Sequence, residues 1–373
     1  MKIAIDGYEA NVKQRLGSSQ VAFKLLESFE KIDHKNDYTI LLPHPPLDDL
    51  PKERSGWKYK ILKPRHLWTR IALPLYLYTS KNQPDIFFSP THYIPRFSPS
   101  RRIAIVFDLA FLHFPEMFEK GDLWKLKNWT KFSVENADQV ITISNFSKKD
   151  ILEQYKVMKD KITVAYPGYD KDKFKNQISN IKIDEVKNKY KIGDNYIIYI
   201  GTLQPRKNLI RLFEALSRID NLNLVVVGKS SGEGKQGWKY TEILDSPAKL
   251  GIAERVKFCG FVPTDELAYL ISGSLALIQP SLWEGFGIPV LEAMSSGIPV
   301  LVSNSSSLPE IVGEAGLTFD PYSIDQIEQA IRTIFSDKKL RQKYSKLGLK
   351  RAEKFSWERM AKTVIKVFEN SSA

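Results

Sequence analysis

Short runs of Val, Ile and Leu alternate with amphipathic stretches along almost the whole chain. In the first half, residues 2–5, 38–42, 86–89, 103–107 and 139–143 read as strands, and residues 19–31, 67–79, 123–137 and 148–155 read as helices. Uniformly apolar strands separated by helices predict a parallel sheet covered on both faces. The alternation pauses at the turn signal Tyr166-Pro-Gly168 and through the polar, Lys-rich residues 170–191. A second series opens at Tyr196-Ile-Ile-Tyr-Ile-Gly201. It predicts further strands at 222–227, 256–258, 275–278 and 299–303, with helices at 208–218, 240–250, 264–272 and 290–296. Helices at 324–335, 340–354 and 358–370 close the chain.

The pattern is α/β, with two Rossmann-like doubly wound domains. The first spans 1–170, a linker spans 171–195, the second spans 196–354, and a C-terminal segment spans 355–373. A length of 373 residues fits two cores better than one. Open parallel sheets bind ligands beyond the carboxyl ends of their strands, so two facing sheets predict a central cleft.

Composition adds exclusions. A hydrophobic content of 43% with 26% charged residues is that of a globular protein, not of a disordered or fibrous one. Cys259 is the single cysteine, so no internal disulfide forms, and no Cys/His cluster has metal-ligand spacing. It reads as a small apolar residue in a reduced compartment. The opening run Met1-Lys-Ile-Ala-Ile-Asp6 is too short for a signal peptide, and no apolar run reaches about 18 residues. The expected location is therefore cytoplasmic.

The net charge of +12 is unevenly spread. Residues 52–102 hold eleven Lys/Arg against two acids, Glu53 and Asp85, a surplus of nine positive charges. This surplus is either a solvated face or a surface for a polyanion, anionic lipid headgroups or nucleic acid. Within it, Arg65-His-Leu-Trp-Thr-Arg-Ile-Ala-Leu-Pro-Leu-Tyr-Leu77 mixes aromatic and basic residues. Peripheral attachment at the inner face of a membrane is one expectation; a helix packed only on its own sheet is the other. No aromatic-basic motif for nucleic acid is present.

Several motifs carry candidate chemistry. Gly232-Glu-Gly-Lys-Gln-Gly237 matches G-x-G-x-x-G, but Gly228-Lys-Ser-Ser231 separates it from its strand, so it reads as a loop. Lys229-Ser230 lacks the upstream glycine of a P-loop, since position 223 is asparagine. Ser281-Leu-Trp-Glu-Gly-Phe-Gly-Ile-Pro-Val-Leu-Glu292 is richer. Gly285 and Gly287 let backbone approach a ligand, and Pro289 suits the first turn of a helix. The open N–H groups near Phe286, Gly287 and Ile288, backed by the helix dipole, suit a pyrophosphate. Glu284 and Glu292 suit the hydroxyls of a sugar and a ribose, because ionised oxygens accept strong hydrogen bonds. Arg206 and Lys207, between a strand and a helix, suit the negative charge of a departing diphosphate. In the first half, Asp108 follows a strand and His113 comes five residues later, which makes them acid/base candidates. Gly17 opens an early loop that brings backbone toward phosphates.

Taken together, these residues resemble the retaining glycosyltransferases of family 4, which have the GT-B fold. The resemblance covers nearly the whole chain and is strongest at the E-x7-E signature from Glu284 to Glu292. Tyr199-Ile-Gly-Thr-Leu-Gln-Pro-Arg-Lys-Asn208, Val256-Lys-Phe-Cys-Gly-Phe-Val262 and Phe355-Ser-Trp357 support it. The resemblance implies that Arg206 and Lys207 bind the donor diphosphate, Glu292 the ribose, Glu284 the donor sugar, and the backbone near Val262 the base. It also implies retention of configuration, no metal and no cofactor beyond the nucleoside-diphosphate sugar itself. The departing phosphate would take the acceptor's proton. The donor is a UDP- or GDP-sugar, mannose among the options, and the acceptor a glycan or lipid-linked saccharide of the cell envelope. The chain departs from the family in two places: Ser18-Ser19 follows Gly17 where a second glycine is usual, and Phe107 stands where histidine often precedes the aspartate. A sugar-nucleotide epimerase or a non-catalytic nucleotide-sugar binder on the same fold are the alternative readings.

Overall fold

The computed structural model describes residues 1–174, 179–228 and 240–372. Lys229-Ser230 and the loop 232–237 lie outside the described residues. The chain divides into two compact units.

The first unit comprises residues 1–113, 120–168 and 356–373. Its strands are β1 (Lys2–Asp6), β2 (Asp37–Leu42), β3 (Trp57–Ile61), β4 (Ile86–Ser89), β5 (Arg101–Ile105), β6 (Gln139–Thr142) and β7 (Ile162–Val164). All pair in parallel, in the order β3-β2-β1-β4-β5-β6-β7. The central strands are apolar on both faces, as in Ile3-Ala-Ile5 and Ile86-Phe-Phe88, because helices cover both sides. The helix Ser18–Ile32 buries Val21, Ala22, Leu25, Leu26 and Phe29, a helical spacing that aims one stripe at the core. The C-terminal helix Trp357–Ser372 belongs to this unit. Its Phe368 is fully buried, 5.9 Å from Phe29 and 5.2 Å from Phe88 between ring centroids.

The second unit comprises residues 114–119 and 169–355. Its strands are β8 (Tyr196–Ile200), β9 (Asn223–Val227), β10 (Val256–Gly260), β11 (Ala276–Gln279), β12 (Val300–Ser303) and β13 (Gly316–Phe319). They are parallel, in the order β10-β9-β8-β11-β12-β13. The helices Leu209–Ser217 and Ile324–Ser336 supply Leu212, Phe213 and Leu216, and Ile327, Ile331 and Ile334, to one core.

Two expectations change. Residues 171–195 do not behave as a bare connection: the helices Lys171–Phe174 and Asn180–Lys189 lie in them, and both belong to the second unit. Phe174 is buried, Lys189 Nζ reaches Glu266 Oε1 at 2.6 Å, and Tyr190 donates to Glu266 Oε2 at 2.6 Å. A few anchoring side chains suffice to fold a stretch whose overall polarity suggests a linker. The edge strands β3, β7 and β13 join the nine interior strands that the apolar runs predict, with β10, also predicted, at the fourth edge.

Phe368→Ala removes a ring from the middle of the first unit, which costs about 3–5 kcal/mol. The expected result is a fall of roughly 10 °C in the melting temperature. A change below about 2 °C would mean that the C-terminal helix is not part of that core.

Candidate functional site

The second sheet has its topological switch between β8 and β11, where the chain order reverses. Open α/β sheets bind ligands outside the carboxyl ends of their strands at this place. The loops after these two strands carry Arg206, Lys207 and Glu284. After β8 the chain makes the tight turn Pro205–Lys207 and then a left-handed residue, Asn208. Asn208 Nδ2 donates to Pro280 O (3.1 Å) and Pro321 O (2.7 Å), and Leu282 N donates to Arg206 O (2.8 Å). The two loops are thereby laced together.

Lys207 is buried and its Nζ lies 2.5 Å from Glu284 Oε1. The same oxygen accepts from Gln279 Nε2 (2.8 Å) and Ser281 Oγ (2.9 Å). Oε2 accepts no hydrogen bond among the described residues; Arg206 Nη1 stands 3.9 Å from it and donates to Trp283 O at 2.8 Å. Burial pushes the Glu284 carboxyl up, but Lys207 and Arg206, with the hydrogen bonds from Lys207 and Gln279, hold it down to about 2. Glu284 is therefore a fixed anion, and the Arg-Lys pair is no solvated helix start. Its backbone is clamped by a serine run after β12. Ser306 Oγ accepts from Glu284 N at 3.0 Å, and Ser307 Oγ donates to Glu284 O at 2.9 Å and Phe286 O at 3.1 Å. Ser303 Oγ donates to Ser281 O at 2.6 Å.

Gly287 takes φ 103° and caps the helix Ile288–Ser295, with Pro289 in the first turn. Only glycine adopts that backbone at little cost. The N–H groups of Gly287 and Ile288 make no hydrogen bond to the described residues, as an anion-binding helix start requires. Gly285 is buried and does not take a positive φ. The Phe286 ring turns inward and meets Phe355 edge-on at 5.8 Å, so only its backbone faces the loop. Glu292 is half-buried, one turn further along the same helix. Burial, reinforced by the Asp170 carboxylate, raises it to about 7. No hydrogen bond to its carboxylate is present among the described residues. Val262 is buried just past β10, two strands from the switch.

The remaining candidates lie in the first unit. Gly17 caps the helix Ser18–Ile32 with φ 56°. Asp108 Oδ1 accepts from Ala110 N at 2.9 Å, which caps the short helix Ala110–His113. His113 Nε2 lies 2.9 Å from Asp150 Oδ1, so its partner is Asp150 and not Asp108. Burial pushes Asp150 up more than His113 draws it down.

A residue absent from the sequence reading, His92, sits beside Asp108. Its ring stacks on Phe107 at 5.7 Å, and its Nε2 accepts from Phe107 N at 3.0 Å. Nδ1 therefore carries the proton and faces Thr130 Oγ1 at 3.3 Å. Burial lowers His92 to about 4 against the pull of Asp108, so the ring is neutral near pH 7. The signal was available: His92 follows β4 by three residues, at a strand's carboxyl end. The serine run Ser303-Asn-Ser-Ser-Ser307 also follows a strand, β12, at its carboxyl end.

Comparisons with known proteins agree with this geometry. The profile of Glycosyl transferases group 1 matches residues 180–351, and that of Glycosyltransferase Family 4 matches residues 17–173. O-antigen chain mannosyltransferase B of Escherichia coli is 30% identical over 289 residues, which span 76% of this chain and 74% of that protein. Among solved structures, sucrose-phosphate synthase of Thermosynechococcus elongatus aligns with a TM-score of 0.78 at 19% identity, covering 99% of this chain and 98% of that one. HepE of Anabaena, in complex with UDP and glucose, aligns with a TM-score of 0.77 at 19% identity, covering 99% of each chain. These likenesses show the GT-B fold. With both profiles matched in turn and the E. coli enzyme related over most of its length, the chain belongs to the family 4, group 1 glycosyltransferases.

Proposed function

We propose that the chain transfers a mannosyl group from a UDP- or GDP-linked donor to a glycan or lipid-linked acceptor in cell-envelope polysaccharide synthesis, with retention of configuration and without a metal. The observation that carries this reading is the cluster of buried Lys207 and Glu284 with half-buried Arg206 at the switch of the second sheet. The sugar is supported by the similarity to O-antigen chain mannosyltransferase B, and the nucleotide by the UDP in the HepE complex.

In this reading the donor diphosphate lies against Lys207, Arg206 and the open N–H groups of Gly287 and Ile288. Glu284 Oε1 holds Lys207, and Oε2 is left for a donor-sugar hydroxyl. Glu292, near half-protonated at pH 7, meets the ribose. The acceptor oxygen bonds to the anomeric carbon as the bond from that carbon to the diphosphate oxygen breaks. The departing oxygen takes the acceptor's proton on the same face. Charge on the diphosphate is met by Lys207 and Arg206, positions fixed before the reaction begins.

Membrane attachment belongs to the same reading. The segment Trp68–Ala72 is wound as a π-helical turn that runs into the helix Leu73–Thr79. Trp68, Ala72, Leu73 and Leu77 pack against Ala4, Leu41 and Phe87. The opposite face leaves Ile71, Leu75 and Tyr78 exposed, at 43%, 55% and 54%. These positions share one stripe, and exposed Lys60, Lys63, Arg65, Arg70 and Lys81 flank them in sequence. An apolar stripe with cations beside it matches an anionic bilayer. No helix among the described residues is long and apolar enough to cross a membrane.

With GDP-α-mannose and an accepted saccharide, the product linkage is expected to be α by its one-bond carbon–proton coupling, and EDTA to leave the rate unchanged. Lys207→Ala and Glu284→Gln should each lower the rate by about a hundredfold or more. A β-linked product would overturn retention, and near-normal rates would remove both residues from the site. In flotation assays, binding to vesicles containing phosphatidylglycerol should exceed binding to neutral ones, fall with salt, and be lost in Leu75→Glu. Equal binding to both vesicle types, or to neither, contradicts the attachment.

A further inference from the structure

Arg70 and Arg96 come from separate connections of the first unit and meet the same helix, Lys120–Asn136. Arg70 lies over the Trp129 ring, with its guanidinium carbon 4.9 Å from the ring centroid, and Arg96 lies over the Phe132 ring at 5.1 Å. Trp129 and Phe132 are three residues apart, so both rings stand on one face of the helix. Tyr93 braces Trp129 edge-on at 5.4 Å. Stacking holds each guanidinium flat on its ring and leaves its N–H edge for a partner. Other arginines of the chain use that edge: Arg15, Arg54 and Arg218 bond carboxylates, and Arg102 bonds three carbonyls. The guanidiniums of Arg70 and Arg96 have no hydrogen bond and no carboxylate partner among the described residues.

Both arginines line one cavity of about 30 Å³, together with Thr69 and Ile94. A water-sized group takes about 10–15 Å³ by this measure, so the space suits a phosphoryl group and is too small for a sugar ring or a nucleotide. No acid lines it. Two cations facing one small space repel each other; an anion between them removes the repulsion, and planar forks match phosphate oxygens. The Thr69 hydroxyl, which makes no hydrogen bond among the described residues, adds a further donor. The Arg96 carbonyl accepts from Arg102 Nη1 at 3.1 Å, at the start of β5. That side of the cavity therefore lies toward the amino ends of the strands, away from the edge at which open α/β sheets bind their ligands. Each arginine is followed by an exposed apolar residue, Ile71 at 43% and Phe97 at 67%. A free phosphate gives these residues nothing to cover, whereas a lipid phosphate is joined to glycerol and acyl chains that do.

We infer that this cavity holds the phosphoryl headgroup of an anionic lipid, its oxygens shared between Arg70, Arg96 and Thr69, with Ile71 and Phe97 against the apolar part of the same lipid. The inference rests on the membrane attachment proposed above. It adds a defined ligand position to the general attraction of cations for an anionic surface.

The test titrates the full chain by calorimetry with dihexanoyl phosphatidic acid, kept below its micelle concentration, and with inorganic phosphate. The lipid is expected to bind roughly tenfold or more tighter than the phosphate. Arg70→Gln and Arg96→Gln should each weaken lipid binding roughly tenfold or more. Arg96→Lys should weaken it as well, because it keeps the charge and loses the stacked fork. Lys346→Gln, which removes an exposed cation from the second unit, should leave it unchanged. Unaltered melting temperatures show that the variants are folded. Equal lipid affinity in the wild type and both Gln variants overturns the inference, as does an Arg96→Lys protein that binds like the wild type. Phosphate binding as tight as lipid binding overturns the lipid assignment. If the wild type floats with phosphatidylglycerol vesicles and does not bind the soluble lipid, the inference falls and the membrane attachment stands. If it does neither, both fall.

Discussion

Two opposite charges, Lys207 and Glu284, leave water together at the ends of neighbouring strands β8 and β11. Neither tolerates burial alone: losing one partner of a buried pair costs about 3–5 kcal/mol. Gln279 and Ser281 share the oxygen that Lys207 holds, so the pair sits in a satisfied network. The surrounding backbone follows from this pairing. Asn208 bonds the carbonyl of Pro280, Leu282 bonds that of Arg206, and the serine run after β12 clamps Glu284 from the other side. Three adjacent strand ends are fixed around one ion pair, so the positive charge of Lys207 and Arg206 is in place before any ligand arrives. Preorganised charge of this kind is what a reaction that releases a diphosphate draws on.

The two glutamates of the E-x7-E signature show how environment separates like residues. Glu284 is held near 2 by cations, and Glu292 is raised to about 7 by burial beside Asp170. One is a permanent anion. The other changes protonation close to neutral pH and has no described partner for its carboxylate. Divergent carboxylates within one site are a common mark of divided roles. Here one organises cations, and the other is desolvated beside a second carboxylate.

Much of this architecture is legible in the sequence because parallel strands buried on both faces read as unbroken apolar runs. Tyr196–Ile200 and Asn223–Val227 are plain for that reason. β3 and β7 are not. Trp57–Ile61 alternates with lysines at a sheet edge, and Ile162–Val164 is three residues long. Residues 171–195 look like a linker because the anchors among the described residues, such as Phe174, Tyr190 and Ile192, are few and stand amid lysines. At the site, the glycines and Pro289 marked the helix start, and strand ends marked Arg206, Lys207 and Glu284. That Lys207 is buried on Glu284, 77 residues away, is a tertiary fact with no local signature. His92 is different: its place just after β4 is a strand-end signal of the same kind, and the sheet order then brings it beside Phe107.

The central claim is that the Lys207–Arg206–Glu284 cluster and the helix start at Gly287 form a diphosphate site. Equilibrium binding of GDP, UDP and the corresponding monophosphates to the wild type and to Lys207→Ala tests it most directly. The account predicts that one diphosphate binds roughly tenfold or more tighter than its monophosphate, and that Lys207→Ala erases most of this preference. Equal affinity for diphosphate and monophosphate in the wild type would contradict it.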